Sequence, residues 1–195
     1  IDYLTYEEML EMSSLGAKVL QTRSVELAMK YNVTMQVLSS QIDKPGTFVV
    51  NEKKKMEKEQ ISGISFSKNE AKVTISGLLD KPGVSAGIFG PLADANINVD
   101  MILQNISQDG KTANITFTLP QSELKNAVSV LNQIKKQNDF KSIRTDEKVA
   151  KVSAIGMGMR SQAGVAKKMF KALGENGINI QAISTSEIKI SVLID

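Results

Sequence analysis

Polar residues suited to holding a small charged molecule occur at a turn and on a strand in the middle of the chain. The turn is Asp80-Lys81-Pro82-Gly83, and the strand residues are Asp100 and Gln104. A helix that begins after Gly83 offers free N–H groups and a positive dipole end to a carboxylate, which the glycine lets approach closely. Asp80 or Asp100 can bind an ammonium group, and Gln104 can bind a hydroxyl. Such a set suits a small molecule with a carboxylate and an ammonium group, such as an amino acid, but a lone motif of this kind is more typical of an ordinary turn and helix start.

A second copy of the pattern lies further along the chain. Gly83 is followed by Ile97, which opens a strand, and Gly164 is followed at the same spacing by Ile178, which opens another. The loop before Gly164 carries no counterpart of Asp80. The copy therefore predicts a weaker site, with Ser186 and Glu187 at a turn that by itself is typical of an exposed hairpin.

Short β-branched runs alternate with helical patterns from residue 61 onward. Residues 72–145 predict the order βαββαβ, with two helices on one face of a four-stranded antiparallel sheet. Residues 68–70 predict a turn before the first of these strands. Residues 151–194 repeat only βαββ, so we expect the strand 61–67 to join the second sheet. The predicted fold class is α+β, with two tandem ferredoxin-like units of which the second is incomplete.

The part of the chain before residue 61 has a different pattern. Residues 5–30 predict mostly helix, opened by a capping box of Thr5 and Glu8 and broken near Gly16. Two short strands follow, and the charged run at 52–60 is typical of a linker. The predicted division is an N-terminal remnant with a linker (1–60), a first unit (61–145, of which 61–71 can pair with the second) and a second unit (146–195).

Composition excludes several kinds of chemistry. The 195 residues include no Cys and no His, which removes thiolate catalysis, disulfides and the commonest general base and metal ligand. No catalytic residue and no metal site is predicted.

The net charge is only +3, and Glu57 interrupts the basic run Lys53–Lys58, which favours a solvated linker over a nucleic-acid surface. No apolar run approaches the roughly 20 residues of a membrane span, and no signal peptide is visible, so neither a nucleic acid nor a membrane is an expected partner.

Several stretches resemble the aspartate kinase family. The turn Asp80–Gly83 with the strand Ile97–Asn105 is similar to the first ACT domain of that family, and Ile183–Val192, with its Ser-Thr-Ser-Glu-Ile element, is similar to the second. Glu8–Met12 and Arg23–Glu26 resemble the last part of its amino-acid kinase domain. The resemblance covers nearly the whole chain, and it favours the amino-acid site over the simple turn.

The resemblance implies a regulatory function. Aspartate kinases transfer the γ-phosphate of ATP to the β-carboxylate of aspartate, and their ACT domains bind lysine and threonine and inhibit the kinase. ATP and Mg are implied only for the full-length enzyme, because this sequence lacks the family's Lys-Phe-Gly-Gly-Thr-Ser start and any other glycine-rich phosphate loop. We therefore expect no cofactor in this chain and no kinase activity from it alone. Since it opens on Ile1, we also expect it to be a piece of a longer protein.

The resemblance also implies partners and site residues. The partners are lysine and/or threonine, a second copy paired through the ACT domains, and the kinase domain or a catalytic subunit, in the cytoplasm. In the first unit the effector residues are Asp80, Gly83, Val84, Ser85, Asn98, Val99, Asp100 and Gln104. In the second unit they are Gly164, Val165, Ala166, Asn179, Ile180, Ser186 and Glu187. Asn179 and Ile180 are expected to serve the site of the first unit.

Two other functions use the same kind of sheet. RNA-binding modules of ferredoxin-like fold stack bases on sheet aromatics, but Phe66 and Phe117 are the only predicted strand aromatics after residue 60. ACT pairs also serve as amino-acid sensors of other metabolic enzymes, such as dehydrogenases. The Arg23–Glu26 run argues against that second alternative, and an upstream Lys-Phe-Gly-Gly start would decide for the kinase.

Overall fold

The computed structural model describes residues 1–51, 60–108, 110–160 and 164–195, which form two compact units. One unit is Lys68–Ala150, and the other combines Ile1–Ser67 with Lys151–Asp195. The strands β4 (Gly63–Leu79) and β7 (Ser142–Ile155) each contribute one part to each unit. This division differs from the predicted boundaries at 60 and 145. Residues 52–59 of the predicted linker lie outside the described residues.

The 68–150 unit has the βαββαβ order that the sequence predicts. Its sheet order is β5-β6-β4-β7. Between β4 and β7 the elements are α3 (Val84–Asp94), β5 (Asp100–Ile106), β6 (Thr112–Pro120) and α4 (Leu124–Asn138). The strands β4 and β6 pair antiparallel, with Val73 opposite Phe117 and Ile75 opposite Ile115. This register places large apolar side chains together on one face, where they are fully buried.

The core of this unit lies between that sheet face and the two helices. Ile88 and Leu92 of α3 and Leu131 of α4 are buried in one cluster with Phe117 of β6. The Phe89 ring meets Phe117 edge-on, with 5.4 Å between ring centroids. Aromatic edge contacts and buried aliphatic side chains are the main source of stability in such a core. The core therefore fixes the start of α3 above the end of β4.

The predicted turn at residues 68–70 is wrong, because β4 continues through it. Glu70 is paired with Pro120 and Ala71 with Leu119, and Ala71 is completely buried. Lys68-Asn69-Glu70 has turn-like composition, but pairing with a neighbouring strand overrides local preference in a sheet. The single strand thus serves both units.

The other unit contains two sheets and three helices among the described residues. Its sheet orders are β1-β3-β2 and β4-β7-β9-β8. The elements are β1 (Tyr3–Thr5), α1 (Tyr6–Ser14), α2 (Thr22–Lys30), β2 (Met35–Val37), β3 (Thr47–Val50), α5 (Val165–Glu175), β8 (Ile180–Thr185) and β9 (Lys189–Ile194). Ile155 of β7 is buried in one cluster with Leu4, Met9, Val25 and Val49. Because they share this core, Ile1–Ser67 and Lys151–Asp195 form one compact unit.

The predicted capping box at the start of α1 is confirmed. The Glu8 amide donates to Thr5 Oγ1 at 3.1 Å, and the Thr5 amide donates to Glu8 Oε2 at 2.9 Å. The helix ends before Gly16, whose φ of +110° suits glycine and where a Cβ would lie 2.5 Å from the Phe66 carbonyl oxygen. No helix in the described part of the chain is long and apolar enough to cross a membrane.

Candidate functional site

A cleft of about 540 Å³ in the 68–150 unit lies at the turn that the sequence singles out. It is formed by the end of β4, the start of α3 and one residue of β5. Its lining residues are Asp80, Lys81, Pro82, Gly83, Val84, Ser85, Ala86 and Gln104. We call this the first cleft.

A β-bulge sets the direction in which β4 enters the first cleft. The pairing register of β4 shifts between Ile75 and Leu78, and both side chains are fully buried. Gly77 occupies the bulge with a φ of +75°, and its amide donates to Asn114 Oδ1 at 3.1 Å. Because side chains alternate along a strand, the shift puts Asp80 in phase with buried Leu78. That phase brings Asp80 to the edge where α3 begins.

The start of α3 presents backbone donors to this cleft. Gly83 precedes the helix with a φ of +89°, a conformation that L side chains rarely adopt. A Cβ built on Gly83 would meet no described atom within 4 Å, so the space above the helix start is open. No described side chain caps the helix there. Amide donors in a first helical turn, together with the dipole, are suited to binding a carboxylate.

The opposite side of the first cleft carries polar side chains. Ser85 Oγ donates to Gln104 Oε1 at 3.1 Å, which joins the helix start to β5. Since the Gln104 oxygen accepts this bond, its Nε2 end is the one that can donate to a ligand. Asp80 supplies an exposed carboxylate beside the helix start. The cleft thus places acceptors for an ammonium group close to donors for a carboxylate.

A second cleft, of about 530 Å³, lies at the equivalent place in the unit that contains residues 151–195. Gly164 precedes α5 with a φ of +103°, as Gly83 precedes α3. The lining residues of this second cleft are Met159, Arg160, Gly164, Val165, Ala166, Thr185, Ser186, Glu187 and Ile190. The two clefts therefore share the glycine-opened helix start and differ in the side chains that face it.

An ion pair crosses the second cleft. Arg160 Nε lies 3.1 Å from Glu187 Oε2, and the side chains are 44% and 79% exposed. An exposed pair of this kind contributes little to stability, so a ligand can replace either partner at small cost. The second cleft is consequently able to bind an ammonium at Glu187 and a carboxylate at Arg160 or at the helix start.

Only some of the residues predicted for each site lie together in the corresponding cleft. In the first unit, Asn98 is exposed, Val99 packs against the core, and Asp100 Oδ1 accepts a hydrogen bond from the Met101 amide at 2.7 Å. These three do not line the first cleft. The predicted residues that do line it are Asp80, Gly83, Val84, Ser85 and Gln104.

The predicted set of the second unit divides in the same way. Asn179 is exposed and Ile180 is half-buried at the start of β8, and neither lines the second cleft. Their expected contribution to another site stays a prediction. The predicted residues in the second cleft are Gly164, Val165, Ala166, Ser186 and Glu187.

Sequence reasoning missed the charged partner in the second cleft. Arg160 is the basic residue four positions before Gly164, and this charge was visible in the sequence. Its pairing with Glu187 had no local signal, because α5 and β8 lie between the two residues in the chain. Thr185 and Ile190 were missed for the same reason, since only the β8–β9 hairpin brings them to the helix start. Among the described residues, no group of acidic side chains is arranged to hold a metal ion.

Comparison with known proteins agrees with this architecture. The ACT domain family model matches residues 73–134 and 152–195. These two stretches contain α3 and α5, the helices that begin at the two clefts. The fold, the repeated glycine-opened helix and this match define an ACT-domain protein.

Individual relatives narrow the class further. An aspartate kinase of Pseudomonas fluorescens (strain SBW25) is 52% identical over all of this chain, which covers 47% of that protein. A crystal structure of aspartokinase alpha and beta subunits is 50% identical, with a TM-score of 0.65 over 69% of this chain and 88% of that one. E. coli aspartokinase III in complex with lysine and aspartate is 26% identical, with a TM-score of 0.73 over 99% of this chain and 42% of that one. The chain belongs to the aspartate kinase family and corresponds to its regulatory ACT region. It spans about half the length of the full-length relatives it matches.

Proposed function

We propose that this chain is the effector-binding part of an aspartate kinase, and that binding of lysine and/or threonine to it inhibits ATP-dependent phosphorylation of aspartate. The observation that carries the proposal is the pair of clefts, each with a glycine-opened helix start opposite polar side chains. The complex of E. coli aspartokinase III with lysine supports an amino acid as the ligand.

The first cleft has the donors and acceptors that threonine needs. We assign its α-carboxylate to the backbone amide of Ser85, because the Val84 amide already donates to the Lys81 carbonyl at 3.3 Å, and its α-ammonium to Asp80. Its hydroxyl is placed within reach of the Gln104 amide. The same first two contacts fit any amino acid, so Gln104 and Ser85 are the residues that distinguish a hydroxyl-bearing side chain.

The charged side chains of the second cleft fit lysine better than threonine. Glu187 is an exposed carboxylate at the β8–β9 turn, suited to a second ammonium group. Arg160 then loses its partner and is free to bind the ligand carboxylate in its place. Arg160 and Glu187 each still have an oppositely charged partner in the bound state.

The rest of the proposed function concerns the whole protein. We propose that it is a cytoplasmic kinase using ATP and Mg, with those groups held by a kinase domain or a catalytic subunit outside this chain.

We also propose a homodimer formed through the ACT units. The strand β5 is an edge of the sheet in the 68–150 unit, and β8 is an edge in the other unit. Ile102, Ile106 and Ile183 on these strands are exposed, and unpaired edges with apolar side chains favour association.

Thermal unfolding with matched ligands tests the proposed function. Lysine and threonine, alone and together at millimolar concentration, should raise the melting temperature of the chain. Norleucine lacks the ε-ammonium of lysine, and valine replaces the threonine hydroxyl by a methyl group, so both should raise it much less. If lysine and threonine produce no shift in any combination, or if norleucine and valine match them, the proposed ligands are wrong.

A further inference from the structure

One face of the helix α1 contacts two walls of the second cleft. Glu8 and Glu11 are three positions apart on α1, so their side chains project from the same side of the helix. Glu8 reaches the turn Met157–Arg160, which supplies Met159 and Arg160 to the cleft. Glu11 reaches Lys189, which lies between Glu187 and Ile190 of the opposite wall.

The Glu8 carboxylate is completely buried and uses both of its oxygens. Oε2 completes the capping box of α1, while Oε1 accepts from Ser62 Oγ at 2.5 Å and from the Met157 amide at 2.9 Å. A buried carboxylate is costly unless such partners are present, and removing one partner leaves another polar group unsatisfied. The position of the Met157–Arg160 turn is therefore tied to the position of α1.

A chain of hydrogen bonds connects this turn to the opposite wall. The Gly156 amide donates to the Ile188 carbonyl at 2.9 Å, and the Ser186 amide donates to the Lys189 carbonyl at 2.8 Å. Lys189 Nζ in turn lies 3.0 Å from Glu11 Oε2, in a pair that is only about a quarter exposed. Both walls of the second cleft are thus held by side chains on the same face of α1.

We propose that Glu8 and Glu11 are positioning residues for the second cleft, and that α1 is the element through which the rest of the protein and the ligand in this cleft affect each other. Neither glutamate lines the cleft, so each acts through the wall that it holds. The proposal rests on the proposed function, because it takes the second cleft to bind an amino acid. A ligand that inserts between Arg160 and Glu187 and changes the distance between the two walls must move α1 or work against it. Conversely, a displacement of α1 changes the affinity of the cleft.

Amide NMR titration of four proteins tests this proposal. Lysine and threonine are added to the labelled wild-type chain and to Glu8→Gln, Glu11→Gln and Glu7→Gln, and affinity is read separately at Val165 and Val84. Glu7 is the matched control, because it lies on the same helix turn and no described residue hydrogen-bonds its buried Oε2. Glu8→Gln and Glu11→Gln should weaken binding at Val165 roughly three- to tenfold and leave Val84 unchanged. Glu7→Gln should change neither.

The outcomes separate this proposal from the proposed function. If the wild-type chain binds neither amino acid, the proposed function fails. Amide exchange without ligand then decides the positioning role, which requires faster exchange at residues 157–160 in Glu8→Gln than in Glu7→Gln. If the wild type binds but both variants keep its affinity at Val165, or lose affinity equally at Val84, the positioning role is overturned. Should Glu8→Gln fail to fold, the partly exposed Glu11→Gln decides alone.

Discussion

Replacing Asp80 with alanine should remove most of the stabilisation that a ligand gives through the first cleft. At a ligand concentration 100 times Kd, binding to the folded state stabilises it by about 2.7 kcal/mol. A hydrogen bond to a charged group contributes about 1.5–3 kcal/mol, so its loss raises Kd about 13- to 160-fold. At the same concentration the ligand then stabilises the variant by only about 0.3–1.3 kcal/mol. For a chain of this size, the shift in melting temperature should fall from about 5–11 °C to about 1–5 °C.

The unliganded variant should keep nearly wild-type stability, because Asp80 is exposed at a turn. Asp94→Ala is a suitable control, since Asp94 is exposed at the other end of α3, about 15 Å along the helix from Val84. Thermal unfolding of both variants and the wild type, with and without threonine, the ligand assigned to the first cleft, provides the comparison. An equal ligand-induced shift in the wild type and in Asp80→Ala would refute the assignment of the ammonium to Asp80. A reduced shift in Asp94→Ala as well would point to a general effect of charge on α3.

Four further predictions concern stability, assembly and activity. Phe117→Ala removes a fully buried ring in contact with Phe89 and should lower the free energy of unfolding in urea by about 3–5 kcal/mol. Thr5→Ala removes the side-chain cap of α1 and should lower it by about 1 kcal/mol, whereas an unchanged midpoint would show that the cap is dispensable. Light scattering of the concentrated chain should give the mass of a dimer, and a monomer mass at every concentration would contradict pairing through β5 and β8. The purified chain supplied with ATP, Mg and aspartate should form no aspartyl phosphate, and measurable formation would show that the missing phosphate loop is not needed.

Local patterns in the sequence were sufficient for most elements near the clefts. The spacing of Val84, Ile88 and Leu92 predicts α3, and all three side chains are buried on one face. Gly83 and Gly164 mark the two helix starts because a residue with positive φ is needed there. The capping box of Thr5 and Glu8 is likewise a signal contained within one helical turn. Features that depend on neighbouring residues in the chain are therefore predictable.

Features that depend on residues far apart in the chain could not be predicted from local patterns. The continuation of β4 through residues 68–70 is stabilised by pairing with β6, which lies beyond α3 and β5 in the chain. The bulge at Gly77 has no sequence pattern beyond the glycine itself, and strict alternation from Val73 and Ile75 points to Gly77 rather than to the buried Leu78. The pair of Arg160 with Glu187 and the second role of Glu8 both arise only when separate segments meet. The sequence alone therefore identifies the helix starts of the clefts and single residues opposite them, such as Gln104 and Glu187, but not the contacts that join the two sides.

The central claim is that an amino acid binds at one or both of the glycine-opened helix starts. The most direct measurement is to follow the backbone amide resonances of the labelled wild-type chain while lysine and threonine are added. We predict that the largest and saturable shifts occur at residues 83–85, at residues 164–166, or at both. Saturable shifts confined to residues outside both clefts, or no shift at millimolar ligand, would contradict the claim.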